Sequence, residues 1–234
     1  MKNCLSGLSL LLLFSGCAPQ TVPQGIKDIL AFYGGSVNWS VGVSVSTGNS
    51  ENSGKFYQIV LDSTDVKKYF ESEDLPASNC AYILYHSFSG KEKSDYSFIR
   101  IIISEYSRSE KYDFRMERLH QVEQCMPTLT RVVDCLKYSR YRMLRTLFSP
   151  GIPADSIDDK KIAQPDMAID SAYGHISKFS MNGFYFTSPE IAGRSISLVH
   201  IAGVLIREKQ NTNFSVSVGP DEGYRNLYGF EFKE

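Results

Sequence analysis

SLVHIAGVLIREKQNTNFSVSV, at 197–218, reads as two long strands folded back on each other. Aliphatic residues fill the first arm, and Gln210-Asn211-Thr212-Asn213 supplies a tight polar turn to the second. Both parities of the first arm are apolar. Ile196, Leu198, Ala202, Val204 and Ile206 share one face with His200, while Val199, Ile201 and Leu205 share the other. Alternation alone therefore leaves the inward face open. Working outward, further strands are expected over 175–187 and 227–232. The linker 188–194, with Pro189 and Gly193, makes the four an antiparallel meander.

Helices precede this meander. The segments 119–124 and 129–148 are helical in pattern, with Pro127 expected to interrupt them. A single helix from 129 to 148 would put Arg140 in the middle of the apolar stripe Val132, Val133, Leu136, Met143, Leu144, Leu147, so a break is expected near Ser139. After the connector SPGIP at 149–153 come helices over 155–164 and 165–173, the second opening on Pro165 and stopped by Gly174.

The first half repeats the mixture on a smaller scale. A helix over 26–33 leads to strands over 38–45 and 56–61 around the polar turn GNSENSG at 48–54. A short helix from Asp62-Ser63-Thr64 to Phe70, a helix over 77–88, and strands over 97–106 and 111–116 follow. The order is strand pair, helices, strand pair. The class is thus α+β, read as two small domains at 25–118 and 119–234 with helices packed on antiparallel sheets.

Three segments carry a resemblance in the second half: LKYSRYRMLRTLF at 136–148, DSAYGHISKFSMNGFYF at 170–186 and the pair at 197–218. Together they resemble the nuclear-transport-factor-like, or cystatin-like, α+β fold, which implies a cone-like curved sheet wrapped on helices. As a whole the chain also resembles small envelope lipoproteins of Gram-negative bacteria that carry no assigned activity. Neither resemblance implies a reaction.

The lipoprotein reading rests on MKNCLSGLSLLLLFSGC at 1–17. A basic start, an apolar run from Leu5 to Phe14 and the small pair Ser15-Gly16 have the layout of a secretory signal peptide. A membrane span needs about 20 apolar residues, and this run is too short. The cysteine that follows resembles a lipobox, with Phe14 where such motifs usually carry Leu. The expectation is a leader over 1–16, lipid on Cys17, and a spacer over 17–24. Ala18 after the cysteine resembles proteins sorted to the outer membrane, here facing the periplasm.

Composition excludes several function classes. With 25 Lys and Arg against 26 Asp and Glu, the net charge of −1 offers no basic excess for nucleic acid. No CxxC, HxH, HExxH or G-x-S-x-G occurs, so no metal and no cofactor is expected. Cys80, Cys125 and Cys135 remain in the body, either as one disulfide and a thiol or as three packed thiols. Arg131, Arg142 and Arg145 form either a phosphate-binding patch or a solvated face. Three Asp-Ser triplets, at Asp62, Asp155 and Asp170, resemble an O-glycosylation sequon and equally fit helix caps.

The candidate acid–base residues are Asp170, His175 and His200, with Asp166 and Tyr173 near the same rim. Their scatter favours a non-enzymatic module that binds an envelope protein or small ligand. The alternatives are a hydrolase or isomerase with its pocket in the C-terminal cone, and an inhibitor acting through loops at 48–54 and 208–213.

Overall fold

The computed structural model describes residues 23–45, 53–62, 64, 66, 70, 72–105, 108–153, 157–191, 193–220 and 226–233. The expected leader, Cys17, most of the turn at 48–54, most of the short helix at 62–70 and the Asp155-Ser156 triplet lie outside them.

The class is α+β, built on two four-stranded sheets. After α1 (Gln24–Tyr33) come β1 (Ser36–Ser44), β2 (Gly54–Asp62), α2 (Asp74–Ser87), α3 (Gly90–Asp95), β3 (Phe98–Glu105) and β4 (Arg108–Arg115). These strands form a sheet of order β1-β2-β3-β4. Both expected strand pairs are antiparallel, but β2 and β3 pair in parallel, from Phe56↔Phe98 to Asp62↔Ser104. The sheet is therefore mixed and not wholly antiparallel. The helical crossover returns the chain to the end of the sheet where β2 began, so β3 runs in the same direction.

The second half runs α4 (Met116–Lys137), α5 (Tyr141–Arg145), α6 (Asp159–Tyr173), β5 (Ile176–Thr187), the two-residue strands β6 (Glu190–Ile191) and β7 (Arg194–Ser195), β8 (Leu198–Arg207), β9 (Thr212–Val218) and β10 (Leu227–Lys233). Its sheet has the order β10-β9-β8-β5 and is the expected antiparallel meander. Within the linker, β6 and β7 make a small ladder of their own.

Two expected helix breaks do not occur. Pro127 lies inside α4 and Pro165 inside α6. A proline removes one hydrogen bond from a helix interior, but α4 buries ten side chains along its length, and that packing holds the helix together across Pro127. The break at Ser139 does occur, with φ at +51°. There the Arg140 N–H donates to the Cys135 carbonyl, which ends α4 and lets α5 leave at a new angle. Arg131, Arg142 and Arg145 stay exposed.

α2 occupies the centre. Pro76, Ala77, Ser78, Asn79, Cys80, Ala81, Leu84 and Tyr85 are all buried, so the helix hides nearly its whole circumference. Its two polar members point opposite ways. Asn79 donates to the Tyr33 hydroxyl on α1 at 2.9 Å, and Ser78 Oγ accepts from the Phe184 N–H on β5 at 2.8 Å. Buried residues of both sheets join one continuous core, from Ile59 and Ile101 to Ile201 and Val216.

Among the described residues Cys80, Cys125 and Cys135 are buried and joined by no disulfide. Cys125 and Cys135 sit ten residues apart on the unbroken α4, about 15 Å along its axis, which rules out a bond between them. Burial pushes the Cys80 thiol well above its usual range, the mark of an inert packed cysteine.

Candidate functional site

The sequence of β8 places Arg207 on the same parity as Val199, Ile201 and Leu205, and that parity proves to be the inner face. An arginine is thereby carried into the interior, where its guanidinium has no contact with water. Its Nε donates to Thr212 Oγ1 across the β8–β9 turn at 3.1 Å, and Nη1 donates to the Gly174 carbonyl at 2.9 Å and to Asp170 Oδ1. Nη2 faces Asp166 Oδ1 at 3.7 Å.

Asp166 and Asp170 lie one turn apart on α6, so both carboxylates reach the same cation. Asp166 is fully buried and accepts from the Tyr141 hydroxyl on α5 at 3.0 Å. Burial, reinforced by the neighbouring charge of Asp170, raises its pKa to about 6, while the Tyr141 hydrogen bond and Arg207 pull the other way. The result is a buried clamp joining α5, the last two turns of α6, and the end of β8.

One corner of the clamp reaches the surface. His175 Nδ1 lies 3.1 Å from Asp170 Oδ2, and most of the imidazole is exposed. It borders a shallow cleft of about 460 Å³ shared with Ser139, Met167, Glu208 and Lys209. Chemically this is a histidine oriented by a carboxylate that is itself held by an arginine, an arrangement able to accept and return a proton.

The structure brings Asp170 and His175 together and leaves His200 apart. His200 pairs with Tyr185 and Arg207 with Ile176, so seven residues of β8, about 23 Å, separate His200 from the clamp. It also faces the other way. Its ring lies 4.6 Å from Tyr185, and Nδ1 is 3.0 Å from Ser217 Oγ on the outer side of the sheet. The Tyr173 carbonyl accepts from the Lys209 and Gln210 N–H groups.

The inner face of the second sheet is occupied by Val199, Ile201, Leu205, Phe214 and Val216, none more than 1% exposed. A second cleft, about 420 Å³ and mostly apolar, opens between α6 and β10 beside Phe148, Ile162, Pro165 and Phe230. Among the described residues no group of three His, Cys, Asp or Glu side chains could hold a metal ion, and no helix is long and apolar enough to cross a membrane.

Arg207 and Tyr141 are the participants missing from a reading of the sequence. The signal for Arg207 was its parity, since Val199, Ile201, Leu205 and Arg207 share one face. Tyr141 carried no signal, because its role depends on the turn at Ser139. Compared with protein-family models, curated proteins and solved structures, the chain matches none of them.

Proposed function

We propose that this is a lipid-anchored protein of the cell envelope, held to the outer membrane through Cys17, whose body binds a protein or small ligand without transforming it. The layout at 1–17 carries the anchor. A nuclear-transport-factor-like second half is supported by the order of helices followed by the meander β5-β8-β9-β10. Binding without turnover is supported by the filled inner face of that sheet and by the clamp, in which Arg207 engages both aspartates.

The anchor is tested by fatty-acid labelling in cells followed by detergent phase partition. Wild type should carry label and enter the detergent phase, and Cys17→Ala should lose both. A Cys17→Ala protein that still carries label and partitions with detergent overturns the reading.

The contact between Asp170 and His175 favours a second reading, a hydrolase or isomerase working at the cleft beside α6. Turnover by purified protein that His175→Ala abolishes, with unfolding unchanged, would replace the binding reading with this one.

A further inference from the structure

Four strands end the two four-stranded sheets, and three of them carry features that discourage another strand from pairing there. β4 presents Lys111 and Arg115. β5 has two register shifts and Lys178, and β10 has one register shift and Glu231. Charges and bulges of this kind are how sheets protect their edges.

β1 has none of them. Its nine residues, SVNWSVGVS, carry no charge and no proline, and they pair with β2 in unbroken register. Among the described residues its backbone pairs with nothing but β2, which leaves one side of the strand open. The apolar side chains are exposed along with it. Val37 and Trp39 pack against the core, but Val41 and Val43, next on the same face, are 46% and 71% exposed.

We infer that β1 is a docking edge for a second copy of this chain, added antiparallel so that two four-stranded sheets become one of eight strands. The choice of occupant rests on the strand's complementarity to itself. A two-fold axis through Ser40 overlaps all nine residues. On one face it sets Val37 against Val43 of the second copy and Trp39 against Val41. On the other it sets Ser36 against Ser44, Asn38 against Gly42, and Ser40 against Ser40. Apolar meets apolar, small polar meets small polar, and no charge is buried or opposed. Side-chain parity is preserved, so the outward-pointing backbone groups of both copies meet in hydrogen-bonding register. A two-fold interface of this kind closes on itself and stops at the dimer.

The test uses the full chain in detergent solution. Sedimentation across a concentration series should show a dimer. Ser40→Cys should form an intermolecular disulfide on mild oxidation, because directly opposed Cβ atoms lie within about 4.5–5.5 Å. Lys111→Cys, on the far edge of the same sheet, should not, and Cys80, Cys125 and Cys135 are buried. Ser40→Lys puts two ammonium groups face to face and should weaken the dimer by about tenfold or more. Ser40 is exposed, so thermal unfolding of the separated monomer should not change. If that variant fails to fold, Val43→Lys, which sets an ammonium group against Val37 of the second copy on the other face, should likewise weaken the dimer. A chain that stays monomeric at every concentration, including one whose edge captures a different protein, overturns the inference. So does a dimer that both lysine variants leave intact, or one that crosslinks equally through Lys111→Cys.

Discussion

Gly183→Ala will destabilise the protein by several kcal/mol, the largest loss expected from adding a single methyl group. Gly183 sits at a register shift in β5, where the strand runs directly under the first turn of α2. A Cβ built there would come within 2.1 Å of the Leu75 carbonyl oxygen and 2.6 Å of the Leu75 Cα. Those are backbone atoms, so no rotamer change relieves the clash. Either the strand or the helix must move. The next residue, Phe184, donates its N–H to Ser78 Oγ from the same patch, and displacement would break that buried bond. Overpacking costs about 1–3 kcal/mol and an orphaned buried donor about as much again, against a total stability of about 5–15 kcal/mol. Urea unfolding should show a large fall in midpoint. Gly90→Ala, with no atom within 4 Å of its Cβ, is the control and should be close to neutral. An unchanged midpoint for Gly183→Ala would mean that β5 and α2 are not in this contact.

Arg207→Met should be nearly as damaging, and its cost should depend on pH. The substitution keeps most of the volume but removes the one cation that Asp166 and Asp170 share inside the clamp. Breaking a buried ion pair from one side costs about 3–5 kcal/mol. Asp166 sets the sign. Its pKa is raised in the folded state to about 6. The stability tied to its protonated form is therefore complete below the ordinary carboxylate range and is lost as pH rises through about 6. Without Arg207 the charged form is harder still to accommodate, so the penalty should be greater at pH 7 to 8 than near pH 4. Asp166→Asn should behave in the opposite sense, gaining on wild type as pH rises through the same window. Glu123, whose pKa is lowered in part by the Lys93 ion pair, titrates with the reverse sign, but both proteins retain it and it cancels in the difference. A penalty for Arg207→Met that does not change with pH would show that Asp166 is not coupled to the arginine.

Much of this architecture could be read from the residues. Alternation and turn chemistry marked the eight long strands, and the clash of Arg140 with an apolar stripe located the turn at Ser139. What failed had physical causes. A local rule makes the prolines at 127 and 165 breaks because it has no knowledge of the packing that overrides it. The parallel pairing of β2 with β3 depends on where the crossover helices lie, and no strand pattern encodes that. α3 is too short for a periodic pattern, and its capping box, Ser89 to Glu92, is its one sequence signal. Of the candidate site, the closeness of Asp170 and His175 was legible because five residues across a helix end cannot separate far. The place of His200 is not legible, because a strand with two apolar parities hides which face is inside.

The two-sided burial of α2 also has a consequence in time. Asn79 meets α1 among residues made before it, but Ser78 waits for Phe184, 106 residues further along the chain. At synthesis rates of about 5–20 residues per second, that partner arrives roughly 5–20 s later. Through that interval the face of α2 destined for β5 has no native cover, and neither does the adjoining part of the first sheet. A chain arranged in this way cannot finish its first half first. Its folding is gated by the arrival of β5, and the uncovered face of α2 is open to other contacts during the wait.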